Sequence, residues 1–146
     1  MTNQEAAILF IELADLLDLA GELPFKSNSY RKVARSLNEL EEPFDTIVKA
    51  GNWERIPGAG KAIKEKLTQL ANAGKISALE KWRKHEIAAF YSWMTTLDLK
   101  PRPLGMLIRK LQASDFKDLL NKLNGYDIKK LTGQSRETAI KIIENK

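Results

Sequence analysis

The sequence predicts an all-α protein built from two packed helical halves. Apolar residues recur every three or four positions along most of the 146-residue chain, and no segment shows the sustained alternation of a β-strand. Gly and Pro residues interrupt these periodic segments where helices would end. A Pro-Gly-x-Gly turn also stands directly before a lysine-rich amphipathic helix. Together these observations predict about ten helices organised around helix-hairpin-helix elements.

The first half is expected to hold four helices. Gly21 and Pro24 end the first, and Gly51 and Gly74 are expected to close the third and fourth. Ser27 or Asn28 is expected to cap the second helix. These helices are predicted over residues 3–20, 29–40, 44–50 and from the turn to 73. The second helix should bury Tyr30, Val33, Ala34 and Leu37, and the segment before the turn should bury Trp53 and Ile56.

In the second half, the sequence predicts shorter helices with more irregular connections. An apolar, aromatic segment at residues 87–97 is expected to form a helix, and residues 100–103 a rigid loop in which Pro103 starts the next helix. Ser114 or Asp115 should cap a helix over residues 116–123. The last segment, Leu131-Thr-Gly-Gln-Ser135, repeats the hairpin-then-helix order in eroded form.

The composition excludes several classes of site. The chain has no cysteine, which excludes thiol catalysis, disulfides and cysteine-ligated metals and fits a reducing compartment. His85 is the single histidine and is expected to be a surface or capping residue. Apolar runs stay far below the roughly 18 residues that a membrane span needs. We therefore expect a cytoplasmic, nucleoid-associated protein with no membrane partner.

Charge is distributed unevenly along the chain. Residues 1–24 carry five acidic and no basic side chains, so the remaining residues carry a net charge of +10 within a total of +5. This asymmetry suggests an acidic first helix turned away from a polyanion and a basic body turned toward it. A solvated surface of mixed charge is the alternative.

The Ile-Pro-Gly-Ala-Gly turn is the strongest candidate for a binding site. Its glycines permit a tight turn, and the amides of Gly58, Ala59 and Gly60 are expected to stay unpaired at the start of the following helix. Free amides and the positive end of a helix dipole suit a phosphate group. Lys61 and Lys64 would add charge beside it. Arg31 on the preceding helix is a candidate second contact, and a plain helix connector is the alternative.

Three stretches together resemble a known family. PFKSNSYRKVARSL, WERIPGAGKAIKEKL and NAGKISALEKWR resemble the amino-terminal region of the family X DNA polymerases, the DNA polymerase beta group. The resemblance is specific over residues 9–83 and colinear beyond them. It implies a lyase-like helix-hairpin-helix domain over residues 1–84 and a second helical domain with degenerate hairpins over residues 85–146. The chain holds no Asp-x-Asp cluster for two metal ions, so no polymerase activity is expected.

The resemblance also implies candidate catalytic residues. Lys66 matches the lysine that forms a Schiff base with an opened abasic sugar, and Glu65 matches the acidic residue before it. Lys26 and Tyr30 match residues around the family's sugar pocket. The family's histidine before that lysine is Phe25 here, and two auxiliary lysines are replaced by alanines at Ala62 and Ala78. Whether Lys66 is a nucleophile or a lysine that contacts phosphate or solvent is left open by the sequence.

The family's hairpins also bind a monovalent cation, Na or K, through main-chain carbonyls. Here those carbonyls would belong to Glu54, Ile56 and Ala59, and no other cofactor is expected. The family's second hairpin aligns with residues 99–103, which have lost both glycines. Any DNA contact there would come from Lys100 and Arg102.

Three hypotheses follow for function. The first is a non-sequence-specific DNA-binding module that contacts the backbone of gapped, nicked or end-containing DNA in DNA repair, alone or with a protein partner or polymerase domain. The second is a 5′-deoxyribose-phosphate lyase that uses Lys66. The third is a protein-interaction scaffold with an exposed aromatic surface around Phe90, Tyr91 and Trp93.

Overall fold

The computed structural model describes residues 1–145, and within that range the protein is all-helical, as the sequence predicts. The described residues form nine α-helices and three short 3-10 helices. The α-helices are α1 (Asn3–Ala20), α2 (Pro24–Glu39), α3 (Phe44–Ala50), α4 (Lys61–Ala73), α5 (Ser77–Arg83), α6 (Tyr91–Thr96), α7 (Pro101–Leu111), α8 (Phe116–Asn124) and α9 (Gly133–Glu144). The 3-10 helices are Trp53–Arg55, Glu86–Phe90 and Ile128–Lys130.

Contacts along the chain group the residues into two compact units. Unit 1 comprises residues 1–14 and 23–84, and unit 2 comprises residues 15–22 and 85–146. The grouping differs from the sequence-based division in residues 15–22, the last part of α1 and the connection after it.

The core of unit 1 comes from one face of each of its helices. The residues that α2 was predicted to bury, Tyr30, Val33, Ala34 and Leu37, are buried. The start predicted for α2 is wrong, because the helix begins at Pro24, whose fixed φ suits the first helical turn. Ser27 therefore lies inside the helix as a buried residue, and its hydroxyl donates to the Pro24 carbonyl at 3.0 Å.

The helix ends around the turn follow the glycine positions. Gly51 and Gly74 end α3 and α4 with φ of 72° and 69°, a left-handed conformation that confirms both predicted caps. Ile56 is buried as predicted. Trp53 is only half-buried, so its assignment to the core is wrong.

Within unit 2, α7 lies directly against the end of α1. A Cβ on Gly105 would come within 2.2 Å of the Leu19 carbonyl oxygen, so only glycine permits this approach. The Arg109 guanidinium donates to that same oxygen at 2.8 Å, and the Arg102 guanidinium pairs with Asp18 at 2.8 Å. Two cations at the negative end of α1 stabilise its last turn, which explains why residues 15–22 group with unit 2.

The start of α7 corrects two sequence-based expectations. The segment expected to be a rigid loop is the first turn of α7, which starts at Pro101 rather than Pro103. Arg102 is engaged with Asp18 and with the Glu22 carbonyl, to which it donates at 2.6 Å, and is not held ready for DNA.

The aromatic segment at residues 87–97 forms a 3-10 helix followed by α6 rather than one helix. His85 caps it, since its Nδ1 accepts a hydrogen bond from the Ile87 amide at 3.1 Å, which confirms the capping assignment. Phe90 is buried, and Trp93, 46% exposed, stacks on Phe116 at 4.5 Å and 8°. The continuous exposed aromatic surface that motivated the scaffold hypothesis is therefore absent from this segment.

The last two helices follow the sequence pattern closely. Asp115 caps α8 by accepting a hydrogen bond from the Asp118 amide at 2.8 Å. Leu131 is buried after the 3-10 helix and leads into α9.

Across residues 1–145, no helix combines the length and the apolar character needed to cross a membrane.

The acidic first helix is not an open negative surface. Glu12 accepts two hydrogen bonds from Arg83, at 2.6 Å from Nε and 2.8 Å from Nη2, and Asp15 and Asp18 are buried. Glu5 forms a capping box with Thr2 at the start of α1. Much of the negative charge of α1 is therefore turned toward the protein's own cations and amides, which corrects the expected charge separation.

Candidate nucleic-acid interface

The turn before α4 is a type II turn closed by the protein itself. Pro57 occupies its second position and Gly58 its third, with φ of 88°, and the Ala59 amide donates to the Ile56 carbonyl at 3.3 Å. The Gly60 amide then donates to the Gly58 carbonyl at 3.1 Å. The prediction that the amides of Gly58, Ala59 and Gly60 are all free is therefore wrong for Ala59 and Gly60.

The open amides lie instead in the first turn of α4. Gly60 is the N-cap residue, with φ of −74° and ψ of −178°, and no side chain caps the helix. The first amide bonded along the helix is that of Lys64, which donates to the Gly60 carbonyl at 2.9 Å. The amides of Lys61, Ala62 and Ile63 have no partner within the helix. The candidate anion site is thus displaced from the turn into the helix.

The two glycines of the turn serve different purposes. Gly58 has a left-handed φ, and a Cβ there would lie 3.3 Å from the side-chain carbon Cδ of Lys32, so the fold itself favours glycine. Gly60 has an ordinary φ, and a Cβ there would meet nothing within 4 Å. The fold does not need glycine at position 60. A missing side chain there leaves the first amides of α4 accessible.

Helix α2 holds the turn from one side. The Ser36 hydroxyl donates to the Pro57 carbonyl at 2.9 Å, and the methylene carbons of Lys32 lie beside Gly58. Ser36 was not singled out by the sequence, because its partner lies 21 residues away and no local pattern connects the two. These contacts fix the turn, and with it the direction in which α4 begins.

A groove of about 390 Å³ lies between the first turns of α2 and α4. It brings together residues that the sequence singled out separately. Those lining it are Lys26, Tyr30, Gly58, Gly60, Lys61 and Lys66. Phe25 also lines the groove, and this residue is 63% exposed. Cations from two helices therefore converge beside the open amides of α4.

Lys66 lies on the wall of this groove. Its side chain is half-buried, and its Nζ lies 5.4 Å from the centroid of the Tyr30 ring, within range of a cation-π contact. Tyr30 is itself buried and its ring centroid lies 6.0 Å from that of Phe10. The ammonium is thereby held beside Tyr30, which also lines the groove.

Two other candidate residues of α4, Lys64 and Glu65, lie on a face of the helix next to the face that carries Lys66. Lys64 and Glu65 line a second cavity of about 560 Å³ together with Lys61. Lys64 Nζ lies 5.7 Å from the centroid of the Trp53 ring. Since consecutive helical residues diverge by about 100°, the structure does not bring Glu65 into the groove of Lys66. Arg31 is half-buried on α2 and is engaged within the protein.

The main-chain oxygens expected to hold a monovalent cation are only partly available. The Ile56 carbonyl already accepts the Ala59 amide, which leaves one lone pair for another partner. Glu54 lies on the exposed 3-10 helix before the turn. Among residues 1–145, no three His, Cys, Asp or Glu side chains cluster in a way that could hold a metal ion. The cation site at Glu54, Ile56 and Ala59 stays a prediction.

Comparison with known families places this geometry in context. A family model described as a helix-hairpin-helix domain matches residues 1–76, which include α1 to α4, the turn and the groove. No curated protein matches the chain. A helix-hairpin-helix domain indicates non-sequence-specific DNA binding, in agreement with an anion site built from main-chain amides and lysines.

Proposed function

The chain belongs to the helix-hairpin-helix domain family, and on that premise we propose that it binds the sugar-phosphate backbone of gapped, nicked or end-containing DNA in a repair pathway. The observation that carries the proposal is the uncapped start of α4, which opens beside a groove lined by Lys26, Lys61 and Lys66. A nucleoid-associated location follows from the same proposal.

The chemistry of the groove suits a phosphate. Main-chain amides and the helix dipole favour an anion at the start of α4, and lysines add point charges that need no fixed geometry. None of these groups reads the edge of a base. Binding should therefore depend on backbone charge and vary little with sequence.

Three observations support discontinuous DNA as the ligand. A groove of about 390 Å³ is the size of a small-molecule site, which fits the sugar and phosphate of one strand rather than a duplex. The resemblance of residues 9–83 to the family X polymerases adds the expectation of gap and end recognition. An exposed aromatic ring at the groove edge, Phe25, also offers a face on which an unpaired base can stack.

Fluorescence anisotropy with gapped, nicked and intact duplexes over a series of salt concentrations tests the proposal. We expect tighter binding to the gapped and nicked DNA, with an affinity that falls as salt rises. Lys61→Gln should lower the magnitude of the salt slope by about one. Lys75→Gln, an exposed lysine after α4, is the matched control and should leave the slope unchanged. Absence of binding at low salt, or equal slopes for the two variants, would contradict the proposal.

The position of Lys66 favours a second candidate function, a 5′-deoxyribose-phosphate lyase. Its amine shares the groove with Lys26 and lies against Tyr30. The unprotonated amine would add to the C1′ aldehyde of an opened abasic sugar and lose water to form an iminium ion. Loss of a C2′ proton to water then breaks the C3′–O bond, so that the downstream strand leaves with a 5′ phosphate. Water hydrolyses the remaining imine, which releases the unsaturated sugar phosphate and restores the lysine. Glu65 lines the other cavity and is not assigned as the base.

Borohydride trapping on a pre-incised abasic duplex separates the two functions. A lyase forms a covalent adduct that is lost in Lys66→Ala and retained in Lys64→Ala, whose lysine lies on the neighbouring face. An adduct that persists without Lys66 would contradict this assignment. Wild-type protein that binds the duplex and gives no adduct would leave DNA binding as the function.

A further inference from the structure

Unit 2 contains a cavity of about 290 Å³ with a basic rim and an apolar floor. Arg109 and Lys110 of α7 and Lys130 of the last 3-10 helix supply the rim, and buried Leu107 and Leu131 supply the floor. None of the residues that line it is acidic. The family match ends at residue 76 and assigns nothing to this part of the chain.

The two lysines of the rim are not neutralised by the described part of the protein. The charge of Arg109 is partly compensated, since its guanidinium donates one hydrogen bond to the Leu19 carbonyl at the negative end of α1. Lys110 and Lys130 are exposed and have no ion-pair or hydrogen-bond partner for their side chains among residues 1–145. Like charges held around one small cavity repel each other, and an anion between them would relieve that repulsion.

The order of elements around the cavity repeats the order around the first turn. In unit 1, α3 is followed by a 3-10 helix, the buried Ile56, the turn and α4. In unit 2, α8 is followed by a 3-10 helix, the buried Leu131 and α9. The difference lies in the connection, because Thr132 alone stands where residues 57–60 form the glycine turn. A ligand in the cavity beside this second hairpin would meet side chains of α7 and of the last 3-10 helix rather than a glycine turn.

We propose that the cavity of unit 2 binds one backbone phosphate of DNA, with Lys110 and Lys130 as its cationic contacts and Arg109 as a further charge. The deoxyribose next to that phosphate would lie on the apolar floor of Leu107 and Leu131. The inference rests on the proposed function, since it adds a phosphate contact to the one made at α4.

The salt dependence of DNA binding by the full chain tests this site. The variant is Lys110→Gln with Lys130→Gln, and the control is Lys84→Gln with Lys117→Gln, which removes the same charge from exposed lysines outside the cavity. Relative to the control, the cavity variant should lower the magnitude of the slope of log affinity against log salt by about one. Circular dichroism melts confirm that both variants fold, and Lys130→Gln alone should give a smaller loss in the same direction.

The outcomes separate this inference from the proposed function. If the wild-type protein binds DNA and the cavity variant has the slope of the control, the cavity site is wrong and binding at α4 stands. If the wild-type protein does not bind DNA, both fail. A calorimetric titration with inorganic phosphate alone distinguishes a site for a DNA phosphate from a site for a free phosphate ion. Phosphate binding that the cavity variant abolishes, with an unchanged DNA slope, would also overturn the inference.

Discussion

The Ser36 hydroxyl donates a hydrogen bond of 2.9 Å to the carbonyl of Pro57 and so ties α2 to the turn that precedes α4. Ser36→Ala removes this bond and leaves the Pro57 carbonyl without its side-chain donor. We expect the free energy of unfolding to fall by about 1 kcal/mol. Urea denaturation followed by circular dichroism measures the change.

Thr68→Ala is the control for that variant. The Thr68 hydroxyl bonds only to the Lys64 carbonyl of its own helix, so its loss should cost less. Equal stability of the Ser36 variant and the wild-type protein would show that the bond does not hold the turn.

Gly58→Ala should destabilise the protein through the turn itself. The residue has φ of 88°, and an added Cβ would press against the side chain of Lys32. We expect a loss of about 1 to 2 kcal/mol in the free energy of unfolding. Gly125→Ala is a matched control, because Gly125 has φ of −96° and room for a Cβ. A Gly58 variant as stable as the Gly125 variant would contradict the assigned turn.

The sequence predicted the helices best where glycine or periodicity defines them. Gly51 and Gly74 end helices as expected, and the residues that α2 buries follow directly from its three-and-four spacing. Prediction from the sequence was wrong where the structure depends on a charged partner that is close in space but distant in sequence, or on the hydrogen bonds of a specific turn type. Arg102 was only a candidate for DNA contact, and its partner Asp18 lies 84 residues away in the sequence and shares no local pattern with it.

For the candidate site as well, the sequence predicted some features correctly and others not. Lys26, Tyr30, Lys61 and Lys66 were singled out by sequence and do meet in one groove. Which amides are open depends on the hydrogen bonds of the turn, which composition does not reveal. The signal that was available is the preference for glycine at an N-cap, which would have placed the helix start at Lys61 and the open amides after it.

Arg83→Lys should weaken the contact between α5 and α1. Arg83 makes a bidentate pair with Glu12, and this hydrogen bonding raises the pKa of the guanidinium. A lysine ammonium cannot donate in that fork geometry. Because Arg83 is partly exposed, we expect a loss of only about 0.5 to 1 kcal/mol in thermal or urea unfolding. Arg35→Lys on the exposed face of α2 should change stability less, and the reverse order would contradict the role of the pair.

Asp118 should make stability depend on pH below its ordinary pKa of 3.8. The Ser114 amide, and after it Lys122, lower the pKa of this carboxylate in the folded state. A lowered folded pKa contributes stability that is present above the unfolded value and is lost as pH falls through the folded pKa. Asp118→Asn should therefore lower Tm at pH 7, and the difference from wild type should shrink below pH 3.8. A Tm difference that is constant with pH would contradict this origin.

The most direct test of DNA binding at α4 compares Gly60→Asp with Gly60→Asn. Both are good N-cap residues with room for the side chain, so each should raise the free energy of unfolding by a few tenths of a kcal/mol. Asp alone places a negative charge where the phosphate would lie, at a cost of about 1 to 4 kcal/mol at a separation of about 4 Å. We expect anisotropy with gapped DNA to show at least about tenfold weaker binding for Gly60→Asp than for its neutral isostere. Equal affinities for the two variants would contradict a phosphate site at the start of α4.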